Sequence, residues 1–372
     1  MNFRPVRFMK KFFNAIYAIE PMQTQLNEMK AQIRTLHLEH EKQIAFLHFI
    51  ENQKNKKTPL KENSFALFDY SYHFFSNFGA NLGDEIQTFA TQNALNTICE
   101  NPQFSFVSRD FLNLFSGGGG SIVPMQAWFA HSPYFLPPAD LTPLWVGTHF
   151  SESAQEFLRF VLARQSHYFQ NQTIGCRDLY TLNFCQKMGI PSYFSRCLTL
   201  TLPKRKLNES QNKIFLVGLN NEVLSLLPKC ILNNAEIVNQ QNVFFNPCAD
   251  FHLAAQNILF RYETQAKLII TSALHCASPA TAMGIPVVFV MQDEEQKTRF
   301  SALKNILPFY SVEDFKQDRI NFSPEAPNVE ELKQLMLLNL KKTLDDILQK
   351  EVNLKELNEV RQNIAQFSVF SR

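Results

Sequence analysis

Two segments of this chain combine apolar strand residues, a short polar turn and a helix start, and together they constrain the fold most. The first reads Phe78-Gly-Ala-Asn81-Leu-Gly83-Asp84-Glu85-Ile-Gln87-Thr-Phe-Ala90. The second reads Thr271-Ser-Ala-Leu-His275-Cys-Ala-Ser-Pro279 and continues Ala-Thr-Ala-Met-Gly284-Ile-Pro286-Val-Val-Phe-Val290. In open α/β sheets ligands sit at such turns, where backbone N–H groups and the helix dipole point at them. Asp84 in one turn and His275 in the other predict a two-sided cleft holding an acid and a base.

The rest of the chain fits that class. From Ser64 the pattern alternates strands and helices: strand Phe65–Tyr70, helix Asp84 to about Thr97, strand Phe104–Val107, the apolar run Phe111–Phe115, strand Leu144–Thr148 and helix Ser153–Arg164. Strand Thr173–Asp178, helix Leu179–Met188 and strand Ile190–Ser195 follow. The polar stretch Lys204–Asn212 marks a boundary, and strands Lys213–Val217, Ala235–Val238, Lys267–Ile270 and Pro286–Val290 form a second block. Such alternation predicts an α/β protein with two Rossmann-like, doubly wound domains facing a cleft. They span residues 62–205 and 206–325, with C-terminal helices over 326–372.

Residues 1–61 precede that pattern. Met22, Leu26, Met29, Ile33 and Leu36 follow a 4-3-4-3 spacing that Leu47 and Ile50 resume, with His40 and Gln43 in the intervening seam positions. This predicts an N-terminal coiled-coil-type helix, paired in a homodimer or folded back on the body. Asn52–Lys61 reads as the linker that ends it. The first twenty residues place Arg4, Arg7, Lys10 and Lys11 among Phe3, Phe8, Phe12, Phe13, Ile16 and Tyr17, without the long uncharged core of a signal peptide. Such a segment suits either peripheral contact with an anionic membrane surface or packing on the body.

Composition excludes several classes. With 36 Lys and Arg against 34 Asp and Glu, and no basic stripe interleaved with aromatics, nothing points to nucleic acid. The seven cysteines have no metal-ligand spacing, so free buried thiols are expected, with neither a metal site nor a disulfide framework. No run of 18 apolar residues occurs, which disfavours a spanning helix.

Within the cleft, Gly83 would permit a tight or left-handed turn and Asp84 would either cap the next helix or present a carboxylate, with Gln87 one turn on. Gly117–Gly120 lacks a Walker ending, but after an apolar strand its N–H groups would cradle an anion if they are not simply a turn. Arg177-Asp178 stands at a strand end. His275 lies beside Ser272, past strand Lys267–Ile270 and before a helix starting near Pro279.

The Asn81-x-Gly83-Asp84-x-x-Gln87 run and the later Thr271-Ser272-x-Leu274-His275…Gly284-x-Pro286-Val287 run resemble the polysaccharide pyruvyl transferase family. The likeness covers roughly Ser64 to Tyr310. It implies a GT-B-like arrangement and transfer of pyruvate from phosphoenolpyruvate to a sugar of a bacterial surface glycan as a ketal, in the cytoplasm, with no cofactor. It also implies an essential His at 275, a donor-binding Arg at 177 and a carboxylate at Asp84 serving a glycan acceptor, either free or lipid-linked. Asn81, Gly83, Gln87 and Ser272 would line the substrate site. An unperturbed His275 would titrate near neutrality, suiting proton transfer. The stretch around Trp128, His131, Pro137 and Pro138 resembles a family loop, with Ala127 where Gly is usual. The chain departs again at Ala273, where the family carries a second Arg, and Arg299 is the candidate substitute cation. Two other readings stand beside this one: a GT-B nucleotide-sugar glycosyltransferase using the same cleft, and a non-catalytic scaffold of a glycan pathway.

Overall fold

The computed structural model describes residues 5–54 (side chains from 23), 58–70, 81–115, 119–130, 132–208, 210–241, 250–293 and 297–370. It is an α/β protein built on parallel sheets. In chain order the first elements are α1 (Pro5–Lys54), β1 (Ser64–Asp69), α2 (Leu82–Ile98), β2 (Gln103–Ser108), β3 (Ile122–Pro124), β4 (Trp128–Phe129), β5 (Thr142–Leu144) and β6 (His149–Phe150). Then come α3 (Glu152–Leu162), β7 (Ile174–Cys176), α4 (Leu179–Lys187) and β8 (Ser192–Phe194). The later part holds β9 (Lys213–Val217), α5 (Asn221–Leu226), α6 (Lys229–Leu232), β10 (Ala235–Val238), α7 (Phe251–Gln265), β11 (Ala266–Thr271), α8 (Leu274–Ala282), β12 (Val287–Met291), β13 (Phe309–Ser311), α9 (Val312–Lys316), α10 (Glu330–Ile347) and α11 (Leu354–Gln366).

The two larger sheets have the orders β2-β1-β3-β5 and β10-β9-β11-β12-β13, beside the two-stranded sheets β4-β6 and β7-β8, every pairing parallel. Their central strands are unbroken apolar runs, Phe65–Phe68 and Val287–Met291, buried along their length, as parallel strands covered on both faces must be. The edge strand β10 is protected by charge instead. Its Glu236 pairs with Arg261 and Lys213, which discourages a further strand from adding there.

A single apolar cluster runs from one sheet to the other. Phe65, Leu67 and Ile86 share it with Phe215, Val217 and Leu274. The Leu82 N–H at the start of α2 also donates to the Gln240 carbonyl beyond β10, at 2.9 Å. The C-terminal helices return across this junction, with α10 against α2 and α11 against β8. Buried Arg196 ties them down by donating to the carbonyls of Ile364, Ala302, Lys304 and Phe367. These fixed contacts make the space where the strand ends converge a defined cavity.

Several local expectations change. Phe111–Phe115 is not a strand: a 3-10 turn, Arg109–Leu114, follows β2. The expected strand Leu144–Thr148 does not form: only Leu144 belongs to β5, Gly147 turns at φ 61°, Thr148 makes an isolated bridge to Cys176, and β6 begins at His149. The helix after β11 begins at Leu274, before His275 rather than near Pro279. Strand β13 was not expected, since Phe309–Ser311 is too short to carry a pattern. Of the cysteines, Cys176, Cys185, Cys197 and Cys276 are buried free thiols, but Cys99 is half-buried and Cys230 exposed; Cys248 lies outside the described residues. Among the described residues no helix is long and apolar enough to cross a membrane.

Candidate active site

The start of α2 and the carboxyl ends of β7, β9, β10, β11 and β12 open on one cavity of about 300 Å³ lined by Asn81, Asp84, Arg177, Ser272, His275 and Arg299, among others. Asn81, not Asp84, caps α2: its side-chain oxygen accepts from the Gly83 N–H at 3.0 Å. Asp84 is thereby free of capping and sits one turn before Gln87 on the same helix face, and Gln87 Nε2 donates to Asp84 Oδ1 at 3.1 Å. Behind Asp84 lies Arg109, fully buried, with Nη1 3.4 Å from Asp84 Oδ2. Arg109 also grips Asp110 through Nε at 3.2 Å and Nη2 at 3.0 Å, and stands over the Tyr70 ring. Burial works against the Arg109 charge, but Asp110 and Asp84 outweigh it and hold its pKa above the usual arginine value.

Arg177 follows β7 in the same manner. Its Nε donates to Asp178 Oδ2 at 3.2 Å, and its Nη1 lies 3.4 Å from Gln87 Oε1 and 3.4 Å from His275 Nε2. A guanidinium only donates, so His275 Nε2 accepts and the ring proton belongs on Nδ1. Asp178 serves both as N-cap of α4, accepting from the Thr181 N–H at 2.9 Å, and as the partner of buried His149, whose Nδ1 is 2.6 Å away. His149 is pushed down to about 4 by burial, although Asp178 pulls the other way. The Asp178 carboxyl is lowered to about 2, because His149 and Arg177 overcome its burial. A neutral His149 donating to an ionised Asp178 satisfies both.

His275 lies in the first turn of α8 but departs from helical geometry, at φ −84° and ψ 17°. Pro279, four residues on, has no N–H to return to the His275 carbonyl, which accounts for the kink. Gly83 faces this ring across the cavity floor. A Cβ at Gly83 would stand 3.1 Å from His275 Cβ and 3.3 Å from Nδ1. Gly83 is therefore needed for close approach, not for the left-handed turn the sequence suggested, since it lies within α2. Burial, then the charges of Arg177, His149 and Arg299, hold the His275 pKa well below 6.5. The near-neutral value expected of a free imidazole is thus corrected: His275 rests as a neutral base.

The opposite wall comes from the ends of β9 and β11. The Ser272 hydroxyl donates to the Gly218 carbonyl, and Gln292 Nε2 reaches that hydroxyl at 2.6 Å and the carbonyl at 3.0 Å. Ala273 is the N-cap of α8 and makes no side-chain cap. Arg299, half-buried, lies with its Cζ 5.8 Å from the Trp128 ring centre. Burial, then Arg177, lowers its pKa below the usual arginine value, so two guanidinium groups repel across one cavity.

The eight residues expected to carry the chemistry or line the substrate site thus lie at this junction, and Trp128 lines it too, whereas Pro137 and Pro138 line a separate cavity. Sequence reasoning missed Arg109, Asp110 and His149. A signal existed: strand–Arg–Asp occurs twice, at Ser108-Arg109-Asp110 and Cys176-Arg177-Asp178, and the two arginines reach Asp84 and Gln87 on one face of α2. The glycine run does not behave as an anion cradle at its described end, because the Gly120 N–H is taken by the Asp140 carbonyl and Gly120 packs on Pro59. Gly117, Gly118 and His131 lie outside the described residues. No protein-family model matches the chain, and no curated protein matches it.

Proposed function

We propose that this protein is a polysaccharide pyruvyl transferase-like enzyme, moving pyruvate from phosphoenolpyruvate onto two hydroxyls of one sugar residue in a bacterial surface glycan. The observation that carries this reading is the juxtaposition, in one cavity, of two guanidinium groups, Arg177 and Arg299, with the neutral base His275 and the carboxylate Asp84. In this reading the two parallel-sheet blocks, residues 62–205 and 206–325, are Rossmann-like domains in a GT-B-like pair, and α1 is a coiled-coil arm. The enzyme works in the cytoplasm, at the inner membrane face when its acceptor is lipid-linked.

The donor carries a phosphate and a carboxylate, and guanidinium groups bind both through paired N–H donors. Arg177 turning onto these oxygens releases the His275 Nε2 lone pair that it otherwise occupies. The donor's negative charge also raises the His275 pKa from its low resting value. His275 then takes the proton of the first sugar hydroxyl, positioned by Asp84, as its oxygen bonds to C2 of the enol, and passes that proton to C3, which becomes the methyl group. The second hydroxyl displaces phosphate from C2, and its proton leaves with the phosphate. The products are the cyclic ketal and inorganic phosphate, without net redox change.

The test is to incubate the full-length protein with phosphoenolpyruvate and lipid-linked glycans and to measure phosphate. Acceptor-dependent phosphate release with a mass gain on the glycan supports the reading. Release of a nucleoside diphosphate from a nucleotide-sugar instead makes the protein a glycosyltransferase. Glycan binding without turnover of either donor makes it a scaffold.

A further inference from the structure

Among the described residues nothing covers the apolar stripe on α1. Ile33, Leu36 and Leu47 are 61%, 70% and 66% exposed, and Leu26 and Met29 are exposed with them. The helix is 50 residues long, about 75 Å at 1.5 Å per residue, and among its described side chains those that pack on the body lie in its last third. There Ala45 and Phe49 are buried, Lys42 pairs with Glu156, and Phe46 packs on Phe160. Leu47 lies inside this packed stretch and still faces solvent, so the stripe and the body occupy different sides. At roughly 100° per residue, Leu26, Met29, Ile33, Leu36 and Leu47 centre about 160° around the helix from Lys42, Ala45, Phe46 and Phe49. Ile50 packs towards the body core instead, so the seam ends at Leu47.

We propose that this stripe is the seam of a parallel two-stranded coiled coil formed with a second copy of the chain. Its 3-4-3 spacing from Leu26 to Leu36 has the 3.5-residue period of a supercoiled pair, which a flat lipid surface does not require. The flanking residues of Leu26–Leu36 are mixed in sign, with Glu28 and Glu39 against Lys30 and Arg34, and lack the basic polar face of a membrane-lying helix. Two identical helices in register place Gln25 beside Lys30, Gln32 beside His37 and Glu39 beside Ile44, so no like charges meet along the seam. His40 and Gln43, both exposed, would face their own copies and fix the register at some loss of stability. Because each body lies opposite the seam, two bodies flank the coil without collision. The seam stands apart from the active-site cavity, so this proposal holds or fails independently of the reaction.

Sedimentation of the full-length protein over a concentration series tests it. The expected result is a concentration-dependent dimer that becomes monomeric in the Ile33→Glu, Leu36→Glu double variant, with the body still folded because neither position packs on it. Ile33→Cys, oxidised in the otherwise unchanged chain, should give an inter-chain disulfide absent from the parent protein. Three results overturn the proposal: a monomer at every concentration, with or without anionic vesicles; a dimer that survives the double variant; or a dimer in which Ile33→Cys fails to cross-link, which makes the pairing antiparallel.

Discussion

Gly83 and His275 come from opposite halves of the chain and touch. An added Cβ at Gly83 would be 3.1 Å from His275 Cβ, closer than ordinary van der Waals contact allows. The contact couples the first turn of α2 to the kinked first turn of α8. The two sequence motifs are therefore halves of one site, each shaping the other.

Gly83→Ala tests that coupling. Alanine is worth up to about 1 kcal/mol over glycine inside a helix, so the fold should survive with little change in melting temperature. The ring must move by a few tenths of an ångström or more, and misplacement of a reacting group costs up to about 10²-fold in rate. The expected outcome is a folded protein with at least about tenfold slower phosphate release. A variant with wild-type turnover would show that the His275 position is not critical.

His275→Gln should lower turnover by about 10²–10⁴-fold, the usual contribution of one general acid or base. Because the resting pKa of His275 is well below 6.5, wild-type kcat/KM should stay level as pH falls from 8 to 6.5 and decline only at lower pH. An acid limb centred near 6.5 would assign the proton transfer to a more exposed group.

The sequence made the α/β class legible because parallel strands buried on both faces are apolar runs, as at Phe65–Phe68 and Val287–Met291. It also marked the strand ends where the cavity lies. Packing partners were not legible. Nothing local in Arg109-Asp110 says that the guanidinium reaches Asp84, 25 residues away, and His149 looks like the tail of a strand until Asp178 is beside it. The role of Gly83 was misread for the same reason, since its neighbour His275 is remote in the chain.

Arg177→Lys keeps one charge but loses the fork that spans Asp178, Gln87 and His275. Weaker donor binding is expected, read as a raised KM for phosphoenolpyruvate with a smaller change in kcat. If KM for the acceptor rises instead, Arg177 serves the sugar.

Arg109 gives a contrasting expectation. Arg109→Met would strand Asp84 and Asp110 in the interior, and breaking a buried pair from one side costs about 3–5 kcal/mol. A sharp fall in melting temperature should follow, partly restored by Arg109→Lys. Equal stability of all three proteins would mean that these carboxylates are solvated.

Ala273 caps α8 with no side-chain bond and borders the cavity. Ala273→Arg adds a third cation there and should tighten phosphoenolpyruvate binding in calorimetry, unless Arg299 already fills that role. In that case Ala273→Arg gains nothing and Arg299→Ala loses most of the affinity. No change from either variant would favour a cavity that does not bind the donor.

The buried His149–Asp178 pair should govern acid stability. Unfolded, the imidazole takes up its proton near 6.5; folded, it resists until about 4. Between those values the unfolded chain binds more protons, so stability falls as pH falls. Asp178 continues the trend: its contribution is full above its ordinary 3.8 and is lost as pH drops towards 2. At 1.36 kcal/mol per pKa unit, His149 alone sets an effect on the order of 3 kcal/mol between pH 7 and 4. His275, also held low, adds in the same direction. Wild-type melting temperature should therefore decline steadily from pH 6.5 downwards, and His149→Gln should start lower but decline less over pH 6.5 to 4. A wild-type melt that is flat to pH 4, or a variant with an unchanged slope, would mean that His149 is charged in the folded protein.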